Sequence, residues 1–215
     1  DIWGKRANRW SRDMARTKSL VVGFEGLPGC GKTTVIGLLL DTLRAMGIAV
    51  VSVDIDTSIH APALRAVADT LPLDNLVRSM LFWAMRIQQY EIIQDMRERM
   101  QIILMDRTRG TTLAYDGYGN GVSRELLDMI GHNLSAPDIT FLLCVPMKVA
   151  YARKKSRTME DIAFARRVEQ GYSELADIHG WIRVDATQTP EKVADACFAA
   201  IHSALTCAIK QQGAE

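Results

Sequence analysis

Residues 20–34 read Leu-Val-Val-Gly-Phe-Glu-Gly-Leu-Pro-Gly-Cys-Gly-Lys-Thr-Thr, and the apolar run Val-Ile-Gly-Leu-Leu-Leu follows at residues 35–40. This order predicts a buried strand, a glycine-rich turn and a helix that begins at Lys32. Because glycine has no β-carbon, the turn can curl with its N–H groups inward, where the positive end of the helix dipole also lies. The stretch therefore predicts a phosphate-binding loop; the alternative is an ordinary glycine turn before a helix.

Two side chains of this loop have the chemistry to act on a nucleoside triphosphate. Lys32 can reach the β- and γ-phosphates, and the Thr33 hydroxyl can ligate Mg²⁺. Cys30 lies inside the loop, so its thiol is either reactive and protected by ATP or buried and inert. The loop residues that we predict to bind ATP are Gly26, Leu27, Gly29, Cys30, Gly31, Lys32, Thr33 and Thr34.

The composition is typical of one globular domain, since the 215 residues are 48% apolar and 24% charged, with a net charge of +1. No apolar run reaches about 20 residues, so we expect no membrane insertion, and the charge gives no reason to expect a nucleic-acid partner. Four cysteines without C-x-x-C or zinc spacing indicate free thiols and a cytoplasmic protein. We interpret residues 1–18 as a basic, solvated extension rather than a binding arm, and residues 19–215 as a single domain.

Short apolar runs that alternate with helical patterns predict the rest of the fold. After the first strand, we predict strands at residues 48–53, 102–105, 139–145 and 181–184. The predicted helices cover residues 33–46, 62–69, 76–100, 123–134, 146–157, 160–178 and 190–209. Five strands alternating with helices predict an α/β fold with a parallel sheet covered on both faces.

Acidic residues follow two of the predicted strands. Asp106 stands directly after the third strand, in the Walker-B position that holds Mg²⁺ directly or through water, and Arg107 beside it is suited to clamp a second phosphate. Asp54 and Asp56 follow the second strand, where an acid either orders a Mg²⁺-bound water or a substrate hydroxyl, or simply caps a turn.

Three further segments have both a structural and a functional interpretation. Phe82 and Arg86 are spaced i and i+4 on one helix face, and taken singly they are interpreted as core and as solvated surface. Residues 108–121 are rich in glycine, tyrosine and polar side chains, which indicates a functional loop rather than a connection. Four cations within residues 153–157 form either a solvated face or a lid over the γ-phosphate.

From residue 20 to the last helix, the chain resembles the thymidylate kinase family. The motifs that carry the resemblance are Phe24-Glu25-Gly26, Phe82-Trp83-Ala84-Met85-Arg86, Asp106-Arg107, the run Ala-Tyr-Asp-Gly-Tyr-Gly-Asn-Gly at residues 114–121, Pro-Asp-Ile-Thr-Phe-Leu-Leu at residues 137–143 and Asp185-Ala186-Thr187-Gln188. The resemblance implies a P-loop kinase sandwich of three layers, a sheet in the order 2-3-1-4-5 and, commonly, a homodimer.

The resemblance also implies roles for individual side chains. Phe82 would stack on a thymine ring, Arg86 would hydrogen-bond its edge, Arg107 would hold the acceptor phosphate, Tyr115 would pack against the deoxyribose and Arg153 would lie over adenine. The full substrate-binding prediction is Asp54, Phe82, Arg86, Arg107, Thr111 and Tyr115. The catalytic prediction is Lys32, Arg107, Arg153 and Arg157, and the metal prediction is Thr33 and Asp106.

Departures from the family pattern lie near the expected acceptor. The family's Arg-Glu-Pro-Gly stands here as Val-Asp-Ile-Asp at residues 53–56, so the arginine that grips the monophosphate is lost. We expect weak dTMP binding that an arginine at Val53 would tighten, unless Arg65 or Arg109 has taken over. Asp116 replaces a family glutamine, and the lid is shorter by several residues.

These patterns together predict a nucleoside monophosphate kinase for nucleotide biosynthesis that uses ATP and Mg²⁺ to phosphorylate a pyrimidine deoxynucleotide, dTMP being favoured. The acceptor is already an anionic nucleophile, so catalysis requires positioning and charge rather than a strong base. Two alternatives stay open at this point. One is a kinase for a modified nucleotide or another small phosphate acceptor, and the other is a regulatory protein that binds nucleotide without transfer.

Overall fold

The computed structural model describes residues 19–153 and 159–212. The predicted basic extension at residues 1–18 and the lid cations Lys154, Lys155 and Arg157 lie outside the described residues. Five parallel strands form one sheet in the order β2-β3-β1-β4-β5, which confirms the order implied by the resemblance. The strands are β1 (Leu20–Glu25), β2 (Val50–Asp54), β3 (Ile102–Asp106), β4 (Ile139–Cys144) and β5 (Ile182–Asp185).

In this part of the chain, eight α-helices and one π-helix connect and cover the strands. The α-helices are α1 (Lys32–Ala45), α2 (Ala61–Thr70), α3 (Asn75–Met96), α4 (Arg109–Thr112), α5 (Arg124–Gly131), α6 (Met147–Ala152), α7 (Met159–His179) and α8 (Pro190–Gln212). The π-helix spans Leu113–Gly119 and continues directly from α4. No helix among the described residues combines the length and the apolar character needed to cross a membrane.

The apolar core has two main layers, one on each face of the sheet. Alternate residues of a strand point to opposite faces, so Val22 and Phe24 pack with α1 and α8 while Val21 packs with α3. On this second face, α7 and the π-helix pack around Leu142 of β4. The sheet is therefore buried on both sides, as predicted, and its carboxyl-end edge is left to carry the polar residues.

The prediction of a loop at residues 108–121 is wrong, because α4 and the π-helix occupy most of that segment. The glycines at positions 119 and 171 instead allow two helices to pack closely. A β-carbon on Gly119 would lie 2.5 Å from the Phe164 ring, and one on Gly171 of α7 would lie 2.6 Å from Tyr118. Because both positions lack that atom, the π-helix and α7 approach each other closely. This contact brings the Tyr115 ring to 5.9 Å from the Phe164 ring of α7.

Several predicted boundaries shift by a few residues. Strand β2 begins two residues later than expected and ends one residue later, at Asp54, while α3 ends at Met96 rather than at residue 100. Helix α5 ends at Gly131, where a β-carbon would meet the Trp83 ring at 2.7 Å. The element order is unaffected by these shifts.

Candidate active site

The turn between β1 and α1 has the geometry of a phosphate cradle. Gly26 and Gly29 have φ angles of 137° and 86°, in the region that side chains disfavour. A β-carbon would lie 2.8 Å from the Leu143 carbonyl oxygen at Gly26, and 2.5 Å from the Ala150 carbonyl oxygen at Gly29. Both glycines are therefore required by backbone shape and by space. Helix α1 begins immediately afterwards at Lys32, so its free N–H groups face the turn.

Lys32 is buried inside this turn and is held mainly by backbone oxygen atoms. Its ammonium donates to the Gly26 carbonyl at 2.9 Å, the Leu27 carbonyl at 3.2 Å and the Cys30 sulfur at 3.4 Å. Burial, followed by repulsion from Arg107, lowers the pKa of Lys32. A cation held by uncharged groups in a partly desolvated site is suited to meet an anionic ligand.

The two residues predicted to bind metal lie next to each other. The Thr33 hydroxyl donates to a carboxylate oxygen of Asp106 at 3.0 Å, although the residues are 73 positions apart in sequence. A hydroxyl and a carboxylate fit Mg²⁺, which usually keeps waters and phosphate oxygens as its other ligands. The described residues contain no cluster of three or more His, Cys, Asp or Glu side chains that could hold a metal ion.

A cavity of about 540 Å³ opens at this turn and contains most of the predicted ATP-binding residues. Its predicted members are Gly29, Cys30, Gly31, Lys32, Thr33, Thr34, Asp106, Arg107 and Arg153. The Arg153 guanidinium donates to the Gly29 carbonyl at 3.2 Å. Gly26 and Leu27 instead line a neighbouring cavity, although their carbonyls hold Lys32. Arg157 lies outside the described residues. We call this 540 Å³ space the donor cavity.

A second cavity, of about 320 Å³, contains five of the six residues predicted to bind the acceptor. Those five are Phe82, Arg86, Arg107, Thr111 and Tyr115. We call it the acceptor cavity. Asp54 is not among its lining residues; the Asp54 carboxylate accepts hydrogen bonds from the Asp56 backbone at 2.9 Å and the Thr57 hydroxyl at 3.0 Å. The turn-capping interpretation of Asp54 therefore describes its contacts.

Arg86 is not on the surface, so the interpretation that treated it singly as solvated is wrong. The residue is 1% exposed, and its guanidinium donates to the Arg107 carbonyl at 2.8 Å and to the Gln89 side chain. Burial lowers the pKa of Arg86, while the Glu25 carboxylate acts in the opposite direction. Its Nε atom is buried without a hydrogen-bond partner among the described residues. The Arg86 side chain as a whole is among those that line the acceptor cavity.

Phe82 is half-buried and also lines the acceptor cavity. The guanidinium carbon atoms of Arg65 and Arg78 lie 5.7 Å and 5.5 Å from the centre of its ring. Both arginines line the cavity, so Arg65, unlike Arg109, is available near an acceptor. Arg109 instead donates to the Gly131 and Leu134 carbonyls at 3.0 and 3.3 Å.

Arg107 is the residue that the two cavities share. Its guanidinium donates to the Thr111 hydroxyl at 3.4 Å and the Tyr172 hydroxyl at 3.3 Å, and it lies 5.8 Å from the centre of the Tyr115 ring. Burial and the nearby Glu25 carboxylate raise the pKa of Tyr172, so its hydroxyl stays neutral. The arrangement fixes a cation between a nucleotide-sized cavity and a smaller one.

Sequence reasoning assigned no role to two residues that organise this site. Glu25 is fully buried and accepts from the backbone and hydroxyl of Thr108 at 2.8 and 2.7 Å, and from those of Thr111 at 3.0 and 2.5 Å. A buried carboxylate at the end of an apolar strand was a usable signal for such a role. No sequence signal pointed to Tyr172, because it lies on α7 and accepts from Arg107, which is 65 positions away in sequence.

The structure also bears on three departures from expectation. Val53 is fully buried among the apolar side chains between β2 and α3. An arginine at this position would place a charge in the core, so the expected gain in dTMP affinity is not supported.

Cys30 is 1% exposed, which favours the buried and inert alternative for its thiol. Asp116 lines the acceptor cavity and accepts from the Ser79 hydroxyl at 2.7 Å and the Asn120 amide at 3.3 Å.

Comparison with known proteins gives a consistent result. A family model described as thymidylate kinase matches residues 24–197. A thymidylate kinase from Trichodesmium erythraeum is 36% identical over 79% of this chain and 89% of its own length. Thymidylate kinases from Thermomicrobium roseum and Desulfovibrio desulfuricans are 34% and 33% identical, over 85% and 86% of this chain and 94% and 96% of theirs.

Proposed function

Because the chain belongs to the thymidylate kinase family, a family of nucleoside monophosphate kinases, we propose that it transfers the γ-phosphoryl group of ATP to dTMP and so forms dTDP and ADP. The observation that carries the proposal is the position of Arg107, which lines both the donor and the acceptor cavity. Direct transfer needs two phosphates in line and in contact, and a shared cation holds both.

The acceptor cavity supports recognition of a pyrimidine. Phe82 offers an aromatic face for stacking, and the Arg86 guanidinium, which lines the same cavity, is suited to donate to a base oxygen. The Tyr115 ring lies between Arg107 and Phe164, 5.9 Å from the latter, where the sugar of a stacked nucleotide would pass. The cavity of about 320 Å³ lies within the range of small-molecule sites.

The donor cavity supports ATP, with the Gly26–Gly31 turn and Lys32 suited to the phosphates. Arg153, which donates to the Gly29 carbonyl, would lie over adenine, as the resemblance implies. Thr33 and Asp106 would hold Mg²⁺, and the ion would supply neutralisation of the phosphate charge. Lys32, Arg107 and the predicted lid cation Arg157 would add positive charge where the transition state concentrates negative charge.

The chemistry requires little of the protein beyond this arrangement. A phosphate oxygen of dTMP attacks the γ-phosphorus, the bond from that phosphorus to the bridging oxygen breaks, and ADP leaves with the electron pair. The attacking oxygen is already an anion, so no proton must be removed from it. Alignment by Arg107 and charge from Lys32 are then the main contributions to the rate.

A homodimer in the cytoplasm is the assembly and setting that we propose. Helices α2 and α3 and their connection carry large apolar side chains that are 37–52% exposed, and these suit an interface with a second copy. They are Val67, Leu71, Leu76, Val77 and Ile87. The described cysteines Cys30, Cys144 and Cys197 are all free, which favours a reducing compartment. Light scattering after size exclusion tests the dimer, and Val77→Asp should shift it toward monomer.

The two alternatives from the sequence, a kinase for another acceptor and a regulatory protein without transfer, are not favoured by the family membership. The deciding experiment incubates the full chain with ATP and Mg²⁺ and each of dTMP, dUMP, dCMP, dAMP, dGMP and 5-hydroxymethyl-dUMP, and measures ADP and diphosphate product by chromatography. We expect dTMP to give the highest kcat/KM. A higher value for another acceptor would replace dTMP, and transfer to none would overturn the kinase proposal.

A further inference from the structure

Arg107 is the only residue other than glycine with a positive φ, 69°, in the described parts of the chain. Such a conformation is disfavoured for a side chain as large as arginine and persists only when surrounding contacts hold it. It occurs at the first residue after β3, where the chain turns toward α4. The direction of the Arg107 side chain therefore depends on whatever fixes this one peptide.

The contacts that fix it come from the buried face of α3. The Arg107 carbonyl accepts from the Arg86 guanidinium at 2.8 Å and from the Gln89 side-chain nitrogen at 3.3 Å. The same Gln89 nitrogen donates to the Val53 carbonyl at 3.2 Å, while its side-chain oxygen accepts from Arg86. On the other side, the Arg107 backbone N–H donates to the Phe24 carbonyl at 3.0 Å.

The orientation of the Gln89 amide is determined by its partners. Arg86 has only donors, so the Gln89 atom facing it must be the oxygen. The nitrogen then faces two backbone carbonyls, at the ends of β2 and β3. Gln89 is fully buried, so no water competes for these contacts. The Gln89 amide thus connects the Arg86 guanidinium with the Arg107 peptide and with strand β2 at Val53.

We propose that Gln89 is a positioning residue for phosphoryl transfer, which holds the Arg107 peptide in its positive-φ conformation and keeps Arg86 directed at the acceptor. The proposal rests on the proposed kinase function for its kinetic part only. Gln89 touches neither cavity, since it is absent from the lining of both. Its effect therefore acts through Arg107 and Arg86, on alignment rather than on ATP binding.

The kinetic test uses Gln89→Met, which keeps the length and removes both hydrogen-bonding ends, and Gln89→Glu, which keeps the acceptor for Arg86 and removes the donor to the carbonyls. We expect kcat to fall by about 10- to 100-fold in both variants, the effect of a misplaced reacting group, while KM for ATP stays within about twofold. Gln88→Met is the matched control, because the neighbouring Gln88 accepts from Ser58 and does not contact Arg107.

The structural test is independent of the reaction. A crystal structure of either Gln89 variant should show Arg107 out of the positive-φ region or its peptide rotated, and Gln88→Met should leave it at its present φ. If one Gln89 variant does not fold, the other carries both tests. An unchanged kcat would overturn the proposal, and so would a lower kcat with the Arg107 backbone unmoved. Absence of dTMP phosphorylation by the unaltered chain would instead count against the proposed function, and the crystallographic comparison would still decide the role of Gln89.

Discussion

The donor and acceptor cavities share Arg107 but are built in different ways. The donor cavity takes most of its predicted ligands from residues 29–34, one continuous turn and the first residues of α1. The acceptor cavity is assembled from α2, α3, the segment 107–120 and Phe164 of α7. A ligand site made by a local motif depends on backbone conformation, whereas one made by several elements depends on how those elements pack.

The two cavities also differ in how their cations are compensated. Lys32 donates to carbonyl oxygens and a sulfur, so its charge is available to a ligand. In the acceptor cavity, Arg65 pairs with Asp56 at 2.7 Å and Arg78 pairs with Asp69 at 3.1 Å. Each of these two arginines therefore already has a carboxylate partner, in a pair that is partly exposed. Arg107 has no salt bridge among the described residues and lines both cavities, so we propose it as the principal cation for the acceptor phosphate.

The largest expected effect belongs to the donor side. Lys32→Ala should lower kcat by about 10³-fold or more, because it removes a cation that meets the charge developing in the transition state. The variant should remain folded, since burial already works against the charged form of Lys32. Steady-state kinetics and thermal melting measure the two effects.

Arg44→Ala is the matched control for Lys32, since Arg44 is an exposed cation in the last turn of the same helix. It should leave kcat close to that of the unaltered chain. Near-normal turnover in Lys32→Ala would remove the phosphate-loop assignment and with it the distinction between the two cavities.

Arg107→Lys should have the next largest effect, and it should affect both substrates. The change keeps the charge but removes the planar guanidinium, which donates to Thr111 and Tyr172 and is proposed to span two phosphates. We expect kcat to fall by about 10²-fold, the usual cost of losing one well-placed donor, with a higher KM for dTMP. An unaffected kcat with only the ATP KM changed would place Arg107 in the donor cavity alone.

Phe82→Ala should separate the two cavities by their substrates. Loss of stacking on an aromatic ring costs about 1–3 kcal/mol, so the KM for dTMP should rise by about 5- to 150-fold while the KM for ATP stays nearly constant. Initial rates with each substrate varied in turn give both constants. If ATP is weakened instead, or if no monophosphate is affected, Phe82 has a packing role only.

Arg153→Ala is the corresponding experiment for the donor cavity, and we expect a smaller change in KM than for Phe82→Ala. The Arg153 side chain is exposed and donates to Gly29, so its removal should raise the KM for ATP by only a few-fold, the value of an exposed contact, and leave the KM for dTMP unchanged. Equal changes in both constants would show that Arg153 acts in closure of the site rather than at adenine.

The difference in construction also explains what the sequence could predict. The donor residues, the parallel sheet and its order follow from consecutive residues and from a family pattern, and both cavities contain most of the residues expected in them. The burial of Arg86 could not be predicted, because a lone arginine on a helix is usually solvated. It is buried only because the Arg107 carbonyl and Gln89 supply acceptors, and the former is 21 positions away in sequence.

The segment 108–121 is a second case. Glycine and tyrosine together predicted a loop, yet Gly119 permits the contact with Phe164 of α7 that lets the segment form a π-helix. Local composition does not reveal a partner 45 positions away. The sequence shows that Val53 stands where the family has an arginine, but it does not show where the side chain lies. Only the packed structure shows that the Val53 side chain is in the core.

The smallest expected effect is a pH dependence that belongs to the acceptor side. Burial raises the pKa of Asp116, although hydrogen bonds from Ser79 and Asn120 act against the shift. The folded chain therefore holds this proton more tightly than the unfolded chain does. As the pH rises above the ordinary aspartate value, the unfolded chain ionises first, and stability is lost until the folded carboxyl has also ionised.

Asp116→Asn removes that penalty while keeping an oxygen that accepts from Ser79. The variant should melt at a higher temperature than the unaltered chain at neutral pH, and the gap should close as the pH falls toward the ordinary aspartate value, where both side chains are neutral. Melting curves from pH 4 to pH 8 measure the gap, and Asp41→Asn on the exposed side of α1 reports the effect of losing an unburied carboxylate. A gap of the same size at every pH would mean that hydrogen bonding at this position, rather than the charge of Asp116, limits the stability of the acceptor cavity.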